Sequence, residues 1–155
     1  MKVSLGADHA GFPLKARLRE QIEALGHQVV DVGTDSEEPV DFPDIVAAVC
    51  RPIVAGEIGR GVVVCGSGAG AVMAANKIAG IRCALAHEPY SAHQAVEHDD
   101  ANVIALGSWL VPGALVPDIL RSFFDAHFDD DEATRRRVAK LHDLEVQSAH
   151  RVLGL

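Results

Sequence analysis

The chain is short of aromatic residues, of basic residues and of cysteine, and each shortage excludes something. Only 5% of its 155 residues are aromatic although 48% are hydrophobic, so the core has to be aliphatic. Lys and Arg number 14 against 22 Asp and Glu, a formal net charge of −8, and a field of that sign opposes binding to nucleic acid or to an anionic membrane. Apolar stretches are broken by Gly, Pro or charge after several residues, which fits neither a transmembrane span nor a signal peptide. Cys50, Cys65 and Cys83 are an odd count without CxxC or zinc-ligand spacing, which argues against a disulfide framework and for a reducing compartment. A cytoplasmic protein with neither a nucleic-acid nor a membrane partner is expected. By size scaling the chain is one domain, 1–155, burying roughly two-thirds of its unfolded surface.

What is present alternates between strand and helix signals. Lys2 to Ala7 is β-prone, and Phe12 to Leu25 then places Leu14, Leu18, Ile22 and Leu25 at helical spacing before the stop signal of Gly26. His27 to Val32 reads as a second strand, and Asp44 to Ala55 as a helix that Pro52 should kink or shorten. Gly61 to Cys65 is a continuous apolar run between glycines, the mark of a strand covered on both faces and central in its sheet. Ala71 to Ile78 is a small-residue helix; Arg82 to Ala86 and Asn102 to Leu106 are strands around a helix over Ser91 to His98. Two helices finish the chain, Pro112 to Phe124 and one over about 132–148 with Val138, Leu141 and Leu144 on its apolar face. About five strands without hairpin turns require crossovers, hence a parallel sheet with helices on both faces. The predicted fold is α/β, a single Rossmann-like, doubly wound domain, with ligands expected beyond the carboxyl ends of its strands.

Chemistry-bearing residues gather at those ends. Cys65-Gly66-Ser67-Gly68-Ala69-Gly70 sets a thiol at the end of a strand and three glycines at the start of the next helix, which offers backbone N–H groups to an anion and favours a thiolate as base or nucleophile. A buried cysteine followed by a packing turn is the bland alternative. A dinucleotide fingerprint is another, since Gly66 to Ala71 satisfies G-x-G-x-x-A and Glu88 stands where a ribose ligand would. That alternative meets two difficulties: the chain has no room for a substrate domain, and the motif follows the third strand. Asp8-His9 follows the first strand and reads either as hydroxyl and anion ligands or as a cap with a surface histidine. His98-Asp99-Asp100 precedes the last strand as a polar loop or as a general acid or base. None of the eight histidines forms HxH, HxxxH or HExxH, so no metal is expected. Asp129 to Glu132 before Arg135 to Arg137 has the charge order that compensates a helix dipole, and Cys50 and Cys83 sit among apolar neighbours as inert core residues.

Taken together these residues resemble the ribose-5-phosphate isomerase B and galactose-6-phosphate isomerase family of aldose–ketose isomerases. The resemblance runs from residue 2 to about 145 and lies in Gly6-Ala7-Asp8-His9-Ala10-Gly11, Cys65 to Gly70 with Ala74-Ala75-Asn76-Lys77, Gly80-Ile81-Arg82, Glu88-Pro89-Tyr90-Ser91-Ala92, and His98 leading to Asn102-Val103. It implies Cys65 as the base that moves a proton between the carbons flanking the carbonyl. Ser67 and the amides of Gly66, Gly68, Ala69 and Gly70 would hold the enediolate oxygen. His98 would serve ring opening with Asp8 assisting and Asp99 beside it, and His9 and Arg137 would face the phosphate. It further implies a small-molecule sugar phosphate as substrate, no metal or organic cofactor, and a homodimer or homotetramer with sites between subunits, so that His98 serves the neighbour's Cys65. The chain departs from the family's pattern in three places: Asp99 where Asn is usual, Trp109 where Arg often follows Gly-Ser, and Asp131-Glu132-Ala133-Thr134 where Gly-Gly-Arg-His is expected. The substrate thereby ranges from ribose 5-phosphate through a tetrose or hexose phosphate to a free sugar, and a non-catalytic sugar-phosphate-binding module is the reading from another class.

Overall fold

In the computed structural model, which describes residues 1–154, five parallel strands form one sheet. They are β1 (Lys2–Ala7), β2 (Gln28–Asp31), β3 (Arg60–Cys65), β4 (Cys83–Leu85) and β5 (Val103–Gly107), in the order β2-β1-β3-β5-β4. The helices are α1 (Phe12–Ala24), α2 (Phe42–Val54), α3 (Ala69–Ala75), α4 (Pro89–Asp99), α5 (Val116–Asp125) and α6 (Glu132–Leu153). The apolar run at β3 lies in the middle of the sheet, as expected, and its alternation feeds both faces. Val62 and Val64 join Leu5, Leu18, Ile104, Ile119 and Phe123 in one core layer, while Val63 and Cys65 join Val46, Val49, Cys50 and Ala71 in the other. The strand order reverses between β1 and β3, where Ala7 pairs with Val64, so the ligand crevice of such a sheet opens beyond those two strand ends.

Several boundaries differ from the sequence expectation for local reasons. Pro52 falls in the last turn of α2, which runs on to Val54. α3 starts and stops early. Gly68 turns the chain with φ 81°, a conformation open to glycine, and Asn76 ends the helix by exchanging hydrogen bonds with the Cys83 backbone at 2.8 and 2.9 Å. The segment from Pro112 splits into a 3₁₀ turn over Gly113–Leu115 and α5, because Pro117 marks a helix start. α6 is longer than expected and touches the body of this chain at Thr134, which is buried, and at Glu145, whose carboxylate accepts the Gly80 N–H at 3.0 Å, while Leu141 and Leu144 are 46% and 62% exposed. Of the apolar face assigned to this helix, Val138 is half-buried, and Leu141 and Leu144 are left uncovered by their own chain.

Lys15, buried on α1, fastens the far side of the crevice. Its Nζ lies 3.0 Å from Asp31 and donates to the Thr34 carbonyl at 2.5 Å, with Asp35 at 3.3 Å. The loop that follows β2 is thereby tied to the first helix.

Candidate functional site

Cys65 ends β3 and Asp8 follows β1 in the adjacent position. The Asp8 amide donates to the Val64 carbonyl at 3.1 Å, extending the ladder by one residue beyond the Ala7–Val64 pair. Alternation along the strands puts Asp8 and Cys65 on the same face of the sheet. Both are nearly buried. Gly68 folds the loop back so that its N–H donates to the Cys65 Sγ at 3.0 Å, and the Ala69 N–H donates to Ser67 Oγ at 3.3 Å. Two of the amides expected to be free for an anion are thus engaged within the loop, one of them orienting the thiol. Asp8 accepts the Gly11 N–H on Oδ1 at 2.8 Å; among the described residues Oδ2 carries no hydrogen bond, so the side chain is at once a turn-former and an open acceptor.

Two imidazoles border this crevice. His9 lines a cleft of about 550 Å³ with Pro39, Val40, Asp41, Asp44 and Ile45, and its Nδ1 accepts the Val40 N–H at 3.2 Å. His87, past the end of β4, accepts the Gly107 N–H on Nε2 at 3.2 Å. Each backbone donor fixes one tautomer of a neutral ring. The sequence marks Ala86-His87-Glu88 as a strand end that matters but gives His87 no role, and it does not single out Phe42, whose ring lies against Gly70; the pairing of His87 with a residue 20 positions away leaves no local signal. Trp109 lies over Gly66: a Cβ there would come within 2.6–2.7 Å of three indole carbons. Ser108 donates to the Ala10 carbonyl at 2.6 Å and closes the ring of loops.

The remaining site residues do not join this group. α4 leaves the carboxyl end of β4 and returns to the amino edge of the sheet to enter β5, so His98 and Asp99, exposed at its end, lie across the sheet from Cys65. The five residues of β5, at about 3.3 Å each, put roughly 16 Å between the two edges. His98 Nε2 is 3.6 Å from Glu97. The start of α6 is on the same side: the Asp129 amide donates to the Glu97 carbonyl at 2.8 Å, and Arg137 is close enough to Asp131 to help hold that carboxyl below its ordinary range, after the dominant hydrogen bonds from Thr134. Asp131 caps α6 through the Thr134 N–H at 2.7 Å.

Glu88, the ribose ligand of the dinucleotide alternative, is spent on structure. Its carboxylate accepts the Tyr90 and Ser91 amides at 2.7 and 2.6 Å as the cap of α4, and the bonds from Ser91 hold it below the usual carboxylate range. Cys50 and Cys83 are buried, and burial pushes their thiols up to about 11 and about 12, as inert core residues require.

The sequence pattern of the family described as Ribose/Galactose Isomerase matches residues 3–141. The chain belongs to this family. Among solved structures, ribose-5-phosphate isomerase B of Clostridium thermocellum superposes with a TM-score of 0.92 at 38% identity, covering 96% of this chain and 99% of that one. Ribose-5-phosphate isomerase B of Escherichia coli is 37% identical over 135 residues, 87% of this chain and 91% of its own length. A D-erythrulose-4-phosphate isomerase of Pectobacterium atrosepticum is 33% identical over 152 residues, 97% of this chain and 99% of its own. The Rossmann-like α/β fold of the ribose/galactose isomerase family is the fold expected from the alternation of strands and helices. Among the described residues no helix is long and apolar enough to cross a membrane.

Proposed function

We propose that the protein interconverts the aldose and ketose forms of a sugar phosphate, such as ribose 5-phosphate and ribulose 5-phosphate, through an enediolate and without metal or organic cofactor. The observation that carries this reading is the place of Cys65 at the end of the central strand, beside Asp8 and under the 66–70 loop, within a family of isomerases. Cys65 takes the proton from C2 of the open-chain aldose and the C–H electron pair moves into the enediolate; the thiol, after exchange with solvent, delivers a proton to C1 while the C2 hydroxyl proton passes to the oxygen on C1, which gives the ketose. Ser67 donates to the oxygen that gains charge, and the loop of Gly66, Gly68, Ala69 and Gly70 brings its backbone beside it. Asp8 accepts a substrate hydroxyl, and His9 donates to the phosphate.

Ring opening needs a proton moved at the ring oxygen, and within one subunit His98 is across the sheet from Cys65. We assign that step to His98 of the partner subunit, with Asp99 beside it and Arg137 on the phosphate, in a homodimer or a homotetramer built from it. The exposed Leu141 and Leu144 of α6 supply an apolar face for such an assembly. The protein acts as one domain, 1–155, in the cytoplasm. A four-carbon substrate is the second reading, favoured by the similarity over nearly the whole of both chains to the Pectobacterium D-erythrulose-4-phosphate isomerase.

Proton NMR in D₂O with ribose 5-phosphate, erythrose 4-phosphate, allose 6-phosphate and free ribose tests the proposal. One sugar is expected to form ketose with deuterium entering beside the carbonyl, and Cys65→Ala to slow this by about 10² to 10⁴, the usual worth of a positioned acid–base group. Near-full activity of Cys65→Ala would remove the thiol from the mechanism. Binding without turnover of any sugar would make the protein a non-catalytic sugar-phosphate-binding module.

A further inference from the structure

The largest exposed aromatic surface of the protein stands at the mouth of the crevice. Trp109 is 77% exposed, although its backbone is pinned, its N–H donating to the Gly66 carbonyl at 3.0 Å. Three carbons of the indole six-membered ring lie within 2.6–2.7 Å of where a Gly66 Cβ would be, so the ring rests directly on backbone and cannot retreat toward the loop. At the other end of the same loop, the Phe42 ring carbons are 3.1–3.4 Å from a Cβ placed on Gly70, and that ring is 36% exposed. Two aromatic rings therefore bracket the segment that carries Cys65 and Ser67. Neither ring brings charge, and the indole's one polar group is a neutral N–H donor.

We propose that Trp109 is a specificity-determining residue: the non-reacting carbons of the sugar pack their C–H faces on the indole, and the fixed seat of the ring on Gly66 sets the length of carbon chain that the crevice accepts. The inference rests on the isomerase reading for its substrate class. Its physical content is separate. Small-ligand sites are apolar walls around a few placed polar groups, and here the polar groups are Cys65, Ser67 and Asp8 while Trp109 is a wall with an open outer face. A rigid wall rejects by contact, so truncating it has opposite effects on ligands of different length.

Trp109 is the only tryptophan in the chain, so intrinsic fluorescence reports on this one side chain. Acrylamide quenching of the wild-type protein, measured with and without erythrose 4-phosphate, ribose 5-phosphate and allose 6-phosphate, is expected to be strong in the free protein and severalfold weaker with the preferred sugar. In the same set of sugars, Trp109→Ala is expected to lower kcat/KM for the preferred one by about tenfold or more, chiefly through KM, and to raise the relative rate on the longest. Trp109→Phe, which keeps an aromatic face, should fall between. Quenching unaffected by a sugar that the enzyme turns over would overturn the inference. So would an indole already shielded in the free protein, which would place it under a second copy, or an unchanged ranking of the three sugars in Trp109→Ala. Failure of the wild type to isomerise any sugar would strike the isomerase reading instead, while the quenching would still decide whether a bound sugar phosphate covers Trp109.

Discussion

His98 and Cys65 stand at opposite edges of the same sheet, one at the end of the helix that returns to the amino edge and the other at the carboxyl end of the central strand. A reaction that uses both needs two chains.

Complementation checks this directly. Cys65→Ala and His98→Ala chains, each impaired alone, are expected to recover about a quarter of wild-type activity when unfolded and refolded together, because half of randomly paired dimers are mixed and each of those carries one intact site. No recovery, with mixed dimers demonstrated by mass spectrometry, would return His98 to a surface role.

Lys15 gives a second expectation. Replacing it by Met removes the partner of Asp31, which is 20% exposed on its side chain, and frees the loop whose Val40 amide holds His9. A loss of about 2 to 3 kcal/mol is expected from breaking a largely buried pair, with KM rising more than kcat falls. Urea unfolding and steady-state kinetics measure the two effects, and a kinetic change confined to kcat would disconnect Lys15 from the His9 loop.

The cap of α4 predicts a pH dependence. The Glu88 carboxyl is held below its ordinary value of 4.5 by its bonds to Ser91 and Tyr90. A depressed carboxyl contributes stability that is present above the unfolded value and is lost as pH falls through the folded one. Glu88→Gln should therefore be less stable than wild type at pH 6, with the gap closing below pH 4.5. Urea midpoints across that range measure it; a gap that does not change with pH would assign the effect to shape rather than charge.

Ser4 lies in the middle of β1, fully buried, and among the described residues its hydroxyl has no hydrogen-bond partner. Ser4→Ala should raise stability by about 1 kcal/mol, since an unpaired buried hydroxyl is a net cost. A lower urea midpoint would reveal a partner for the hydroxyl.

Much of this was legible in the residues because it is local. The run Gly61 to Cys65 has no polar alternation and is covered on both faces, and the βαβ spacing around it leaves only crossovers. Asp8 beside Cys65 followed once β1 and β3 were neighbours. The Val40–His9 and Gly107–His87 hydrogen bonds are different: they join residues 31 and 20 positions apart, and no period or spacing announces them. The α6 face was read correctly as apolar at Leu141 and Leu144, but amphipathic spacing states that a face will be covered and not by which chain.

The two backbone bonds that hold the imidazoles have one more effect. With Nδ1 of His9 and Nε2 of His87 both occupied as acceptors, the nitrogen left on each neutral ring is an N–H. Each imidazole therefore presents a donor that pairs with an oxygen lone pair, while the free carboxylate oxygen of Asp8 accepts from a hydroxyl, so the two sides of one oxygen-rich ligand find opposite partners.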